Sequence, residues 1–285
     1  MDFCPLCNSN NLKIQYRLGL DTPLPELSYF SILKCNDCNL VFSNLLDHPA
    51  PIDSGYEDDY FSKYDLSFKD NPKIRTFRQA LVILDKIKPK QGTLLDFGCA
   101  EGNFLMLAKQ KGWNVYGLDL SQFATNIARK RGLDVLNTTI HNAKFKNESF
   151  DVITLWDVIE HLSNADEIFK EFRRVLKKGG LLIIRTPNEK SIFHQIARLS
   201  YILSFKSIKS LLKSIYHTDH LYYFSKQTLA LLLRKNGFEI KKIIMNDQTM
   251  MSYTNPILKS IIFAIRTVGI ILGKQHAMLA VAAKK

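Results

Sequence analysis

No stretch of this 285-residue chain reaches the roughly 18 uninterrupted apolar residues that a membrane-spanning helix requires. The best candidate, residues 256–272, is broken by Lys259 and Arg266, so no helical span is expected. The opening Met1-Asp2-Phe3-Cys4-Pro5 lacks the basic start and apolar stretch of a secretory signal, and a cytoplasmic location is expected. No internal repeat is visible. Acidic residues nearly vanish from the last third: residues 190–285 carry 15 Lys/Arg against Asp219, Glu239 and Asp247, whereas residues 1–189 balance at 24 of each sign. The whole formal charge of +12 therefore lies beyond residue 189. Such asymmetry points to an anionic partner: a membrane surface, nucleic acid or a phosphorylated substrate. Also missing is a basic platform interleaved with aromatic rings, which makes nucleic acid the less favoured of these.

Cysteine is scarce as well, and its five copies are not scattered. Cys4-x-x-Cys7 and Cys35-x-x-Cys38 form two pairs, each able to make a tight knuckle supplying two thiolates to one tetrahedral Zn2+. Four sulfurs close the coordination shell, so this zinc is expected to be structural, stapling a segment too short for a core of its own. Residues 1–44 thus read as a zinc-ribbon module, 45–73 as a linker rich in Asp, Pro and Tyr, and 74–285 as the main domain. An iron-sulfur centre or unligated thiols are the alternatives.

From Ile74 to Ile87 apolar residues recur at helical spacing, and Pro89 ends the pattern. Beyond Gly92, continuous apolar strands alternate with helical patterns: strands at 93–97, 114–119, 133–136, 150–155, 181–186, 238–244 and 277–283, helices at 103–111, 121–131, 165–177 and 225–236. This alternation predicts an α/β domain built on a parallel sheet covered by helices on both faces. Residues 190–216 interrupt it with a basic amphipathic insertion, in which Phe193, Ile196, Leu199, Leu203 and Leu211 can share one helical stripe. A second basic amphipathic segment spans 257–274.

The turn Asp96-Phe97-Gly98-Cys99-Ala100-Glu101-Gly102 places small residues where a strand must bend sharply into a helix, letting a ligand approach the backbone and the helix N-terminus. The next strand ends at Asp119, about 20 residues on, where a carboxylate can bind ribose hydroxyls in doubly wound folds. Helix capping is the competing reading of Asp119. After the fourth strand come Asp157, Glu160 and His161, and His217-Thr-Asp-His220 follows later in the chain.

Four segments in order, 94–104, 115–121, 149–162 and 175–188, together with His220-Leu-Tyr-Tyr-Phe-Ser and Gly237-Phe238, resemble class I S-adenosylmethionine-dependent methyltransferases over about residues 74–285. The resemblance implies a doubly wound, Rossmann-like sheet of seven strands and S-adenosylmethionine as cofactor. It further implies that Gly98, Cys99, Ala100 and Gly102 shape the cofactor pocket, Asp96 positions the methionine amino group, Asp119 holds the ribose, Leu120 packs on adenine, and Trp156 lies beside the cofactor. Ala100 stands where glycine is commoner, and Asn137-Thr138-Thr139 lacks the acid that often receives the adenine amino group.

Three roles stay open for His161 and His220. They act as general base or orienting groups on an acceptor hydroxyl; or, with Glu160 and Asp157, they hold a divalent metal, similar to methyltransferases that modify the 3'-terminal ribose of small RNAs; or the Glu-His-Leu segment merely caps its strand. The expected reaction is methyl transfer to a small or lipid-linked acceptor, a sugar-like hydroxyl or carbon, with the 190–216 insertion covering the acceptor or touching a membrane. The zinc ribbon ahead of such a domain resembles bacterial sugar and cell-surface polysaccharide methyltransferases. An RNA methyltransferase and a non-catalytic cofactor-binding module are the rival readings.

Overall fold

The computed structural model describes residues 2–19, 30–47, 73–88, 91–207, 209–246 and 256–285. The expected linker at 45–73 lies outside the described residues except at its ends.

Two sheets organise the protein. The larger has seven strands in the order β10-β11-β8-β7-β4-β5-β6, formed by β4 (Thr93–Phe97), β5 (Asn114–Asp119), β6 (Asp134–Asn137), β7 (Phe150–Trp156), β8 (Leu176–Pro187), β10 (Phe238–Asn246) and β11 (Ala277–Lys284). The strand β7 is buried along its whole length, which is why its sequence reads as an apolar run without alternation. Helices α1 (Ile74–Ile87), α2 (Asn103–Gln110), α3 (Gln122–Lys130), α4 (Ala165–Val175) and α7 (Lys226–Lys235) are the expected ones. Their starts follow local chemistry: Ser121 and Ser225 accept hydrogen bonds from Ala124 and Thr228 amides as N-caps. The helical periodicity of residues 74–87 buries Phe77, Leu81 and Leu84 against the sheet.

The sheet is mixed rather than parallel. The strand β11 runs antiparallel between β8 and β10, with Ala280 opposite Ile184 and Ile243. Apolar content foretells that a strand is buried but not its direction, which is set by the path of the connection.

The smaller sheet, β1-β2-β3-β9, was not foreseen. Strands β1 (Leu12–Arg17), β2 (Ser31–Cys35) and β3 (Val41–Ser43) carry the paired cysteines, and β9 (Tyr222–Tyr223) comes from the main domain. Val41 pairs with Tyr223 and Phe42 with Tyr222, so the N-terminal module completes its sheet with a piece of the larger unit. Leu6, Leu40 and Phe42 share one buried cluster with Ile159, Leu221 and Phe224. The module borrows the core its own length denies it.

The 190–216 insertion forms α5 (Ile192–Leu203) and the short α6 (Ser210–Lys213). The helix α5 buries His194 and Ala197, while Ile196, Leu199 and Leu203 of the apolar stripe point to solvent. Arg198, one of the basic residues of the insertion, turns inward to an ion pair with buried Glu189 and a 3.0 Å hydrogen bond to the Tyr216 hydroxyl. Residues 256–271 form α8 (Pro256–Ile271).

At the N-terminal edge of the sheet Asp151 binds Lys88 at 2.8 Å and Lys177 at 2.7 Å and accepts the Thr93 amide at 2.9 Å. Partial burial raises its pKa, but the two lysines and the amide outweigh this and hold it at about 2. Because the folded value is depressed, the stabilisation is present above the unfolded pKa near 4 and is lost as pH falls towards 2. Asp151→Asn is expected to lower stability by about 1 kcal/mol at pH 7, a value discounted for solvent screening, with the gap closing by pH 2 in thermal melts of both proteins.

Candidate functional site

The strands β4 and β7 lie side by side and parallel, with Asp96 opposite Thr154. The chain leaves β4 towards β5 and β6 on one side, while β7 and β8 extend the other, so the carboxyl ends of β4 and β7 flank the crevice where the strand order reverses. Both sequence-derived clusters fall there.

After β4 the backbone turns through Gly98 at φ 73°, Ala100 at φ 46° and Gly102 at φ 78°. A side chain at Gly102 would meet Leu133 at 2.2 Å, so the close passage of α2 against the β6 approach demands glycine. Ala100, the departure from the commoner glycine, occupies the left-handed region, which a small residue tolerates at a modest cost. Its amide donates to Asp119 Oδ2 at 2.7 Å and the Ser121 amide to Oδ1 at 2.9 Å, so Asp119 ties the first turn to the second. Burial raises the Asp119 pKa against these two amides. Asn137 donates to the carbonyl oxygens of Asp119 and Leu120, fixing the backbone where adenine contacts are expected. Leu120 itself is half-buried.

Three expected cofactor residues face inward. Cys99 is buried, its sulfur against Gly117, where a side chain would meet it at 2.7 Å. Asp96 is buried and accepts the Thr154 hydroxyl at 2.6 Å, and burial pushes its pKa well above the usual carboxylate range. Trp156 packs between Phe77 and Phe104, with centroids 4.8 and 4.7 Å away, and its indole N–H is among the neighbours that lower the Asp96 pKa against burial.

After β7, Asp157 adopts φ 57° and forms ion pairs with Arg185 and, at 2.7 Å, with Lys73. Burial alone would raise its pKa, but the two cations drive it far below the usual range. A carboxylate so neutralised is not part of the donor cluster, which comprises Glu160, His161 and His220, with ligating atoms all within 4.8 Å of one another. The sequence missed Arg185 and Lys73; the signal was an arginine inside the apolar run Leu181–Thr186. Glu160 is fully buried, accepts the Thr186 hydroxyl at 2.9 Å through Oε2, and has no partner for Oε1 among the described residues. Burial, reinforced by Asp157, raises its pKa to about 8.

The imidazoles of His161 and His220 meet edge to face at 4.7 Å. His161 Nδ1 lies 2.8 Å from the carbonyl oxygen of Asp219. A carbonyl can only accept, so Nδ1 carries the proton and Nε2 presents its lone pair. Burial, with His161 beside it, lowers the His220 pKa to about 3.

The four N-terminal cysteines form a second cluster: Cys4 and Cys38 sulfurs are 3.5 Å apart, Cys7 and Cys35 3.6 Å, and all four lie within 4.8 Å of one another. A tetrahedron with metal-sulfur bonds of about 2.3 Å has edges of about 3.8 Å. Each Cys-x-x-Cys is followed by asparagine in the left-handed region, Asn8 at φ 59° and Asn39 at φ 64°, its amide returning to the Cys4 or Cys35 carbonyl. Burial pushes Cys4 up to about 11 and Cys38 higher still, a cost that a bound cation offsets.

Among proteins of known sequence, the family described as "Methyltransferase domain" matches residues 69–243. The chain is 34% identical over 128 residues to Uncharacterized protein MJ1123 of Methanocaldococcus jannaschii, covering 45% of this chain and 58% of that one. It is 32% identical over 119 residues to Ubiquinone biosynthesis O-methyltransferase of Hahella chejuensis (39% and 50% covered). With Probable tRNA methyltransferase 9B of Bos taurus it shares 35% over 129 residues, 44% of this chain and 26% of the other. The chain thus spans about half or less of the length of these relatives. In structure it resembles a SAM-dependent methyltransferase from Archaeoglobus fulgidus with a TM-score of 0.54, at 18% identity, covering 79% of this chain and all of that one. A SAM-dependent methyltransferase from Thermotoga maritima gives 0.52 at 23% identity, covering 80% and 96%. These likenesses agree with the seven-stranded sheet and its crevice, and the chain belongs to the methyltransferase domain family.

Proposed function

We propose that the protein transfers a methyl group from S-adenosylmethionine to a small or lipid-linked acceptor, a sugar-like hydroxyl or carbon, held against His161 and His220. The observation that carries this reading is the adjacency of two sites: the glycine turn after β4 and the histidine pair after β7 open on one crevice. Asp96, Gly98, Cys99, Ala100, Gly102, Asp119, Leu120 and Trp156 would hold the cofactor. When bound, S-adenosylmethionine supplies an electrophilic methyl on a good leaving group, and the protein's part is chiefly alignment.

His161 is the better base of the two, because its Nε2 lone pair is free of the backbone contact made by Nδ1 and can take the acceptor proton. His220, held neutral far below its usual pKa, is a poor base and orients the acceptor by hydrogen bonding. A sugar-like or lipid-linked acceptor is favoured over RNA because no aromatic-interleaved basic platform accompanies the site among the described residues. The relative named for ubiquinone biosynthesis offers a parallel for oxygen methylation. The relative named a tRNA methyltransferase keeps RNA as the alternative acceptor.

A second reading of the same cluster has one observation in its favour. Among the described residues Glu160 Oε1 is buried without a partner, beside two imidazole nitrogens within 4.8 Å. Glu160, His161 and His220 would then hold a divalent metal that gathers acceptor oxygens. The N-terminal cysteines are proposed to hold a structural zinc.

Three outcomes test these assignments. Asp119→Ala is expected to weaken S-adenosylmethionine by about 1.5–3 kcal/mol in calorimetry, the range for hydrogen bonds to a charged group; equal affinity would remove Asp119 from the ribose site. Metal analysis should find about one zinc per chain, dropping towards zero in a Cys4→Ser/Cys35→Ser double variant, and an unchanged content would place the metal elsewhere. Replacing His161 by Ala should cut turnover roughly 100-fold to 10,000-fold while cofactor affinity holds, and His220→Ala should act in the same direction. Normal turnover in both variants would reduce the segment to a strand cap. Activity surviving chelation at constant zinc content selects the base, and its loss selects the metal.

A further inference from the structure

The helices α5 and α8 meet where Gly269 packs on Ile192, whose amide donates to the Lys274 carbonyl at 2.9 Å. Together with the α5–α6 turn, α6 and Leu272 just past α8, they present six and seven exposed large hydrophobic side chains, thirteen of the nineteen found among the described residues. The concentration is far from the scattered exposure ordinary for a protein surface. Leu199, Leu203 and Phe205 lie on the first segment, Phe263, Ile270 and Ile271 on the second. The 16 residues of α8 place no large side chain in the buried core among the described residues, so packing among these residues does not account for the helix's apolar character.

Phe205 stands out within the patch. It is 93% exposed at φ 51°, and Lys206 follows at φ 68°. A bulky aromatic in the left-handed region gains nothing from folding if it stays in water, which points to use in a bound state.

Charge selects the occupant. Residues 190–216 and 256–274 contain no acid, while Lys206, Lys209 and Lys259 are exposed on these segments. A second copy of this chain seated face to face would oppose like charges across the contact. An anionic bilayer instead receives the apolar side chains below its headgroups and the lysines at their level.

We propose that α5, residues 204–207, α6 and α8 form a docking surface for an anionic phospholipid membrane, on which the protein sits without crossing. No helix among the described residues is long and apolar enough to span a bilayer. The buried side of α5 leads towards the site through ring contacts, His194 to Tyr216 at 5.6 Å, Tyr216 to Tyr223 at 4.8 Å and Tyr223 to His220 at 6.0 Å. Docking would bring the histidine pair near the headgroup layer, within reach of a lipid-linked acceptor. The surface itself stands independently of which acceptor is used.

The test is co-sedimentation of the full chain with vesicles of phosphatidylcholine, with and without phosphatidylglycerol, at low and high salt. Binding should require the anionic lipid and fall with salt. Lys206→Glu/Lys209→Glu should weaken it about tenfold or more. Phe205→Asn should weaken it at least severalfold without unfolding, since asparagine suits the left-handed backbone; Phe263→Ser provides the same reading on α8. Thermal melts and cofactor calorimetry on each variant confirm that the fold is retained. Absent binding at low salt, equal binding to phosphatidylcholine alone, or indifference to all these substitutions overturns the proposal. So does a concentration-dependent dimer in sedimentation velocity that Phe205→Asn dissolves, because a second copy would then be the occupant.

Discussion

Two residue pairs, Val41 with Tyr223 and Phe42 with Tyr222, carry a constraint on which the geometry of the site depends. Between them and the histidines runs a short backbone relay: the Ser43 amide donates to the Leu221 carbonyl, and the Leu221 amide donates to the Glu160 carbonyl, each over less than 3 Å. His220 precedes this junction and His161 follows Glu160, so the strand pairing holds the two imidazoles at their mutual angle. The cysteine cluster lies at the β2–β3 turn of the same small sheet, Cys4 and Cys35 sharing a buried cluster with Leu221 and Tyr222. A metal there would restrain the strand that restrains the site, giving a structural ion a reach well beyond its own ligands.

Electrostatics sharpen the same region. Asp157 stays ionised between Arg185 and Lys73, whereas Glu160, three residues on, is driven towards its neutral form by burial and by that charge. His220 is likewise held neutral. The two carboxylates illustrate how separated environments divide the labour of similar groups.

Much of this was legible in the residues. The periodicity of 74–87, the apolar run of β7 and the spacing from Gly98 to Asp119 are local patterns, and each survives in the structure with boundaries shifted by a residue or two at most. Glu160, His161 and His220 could be brought together only through the expected topology and the family resemblance, because 58 residues separate His161 from its Asp219 partner. Direction was illegible for β11, and the sequence could not say which surroundings the α5 stripe has, because an apolar stripe reads alike whether it meets protein or lipid. Arg198 shows the limit of counting charge, since a buried guanidinium paired with Glu189 contributes nothing to a surface field. The asparagines after each Cys-x-x-Cys were a readable cue to the left-handed turns that complete the knuckles.

The position of β11 has a consequence for biogenesis. Its residues, 277–284, follow those of every other described strand, yet they lie between β8 and β10. Until they leave the ribosome, β8 has an open edge and β10 lacks the strand on which it pairs, so the sheet cannot close. The β8 edge is apolar over residues 181–184 and would invite pairing with other nascent chains, whereas β10 carries Glu239, Lys241 and Lys242. Synthesis of residues 277–284 thus seals the sheet, and a chain stalled or clipped just before residue 277 would remain sticky rather than merely shorter.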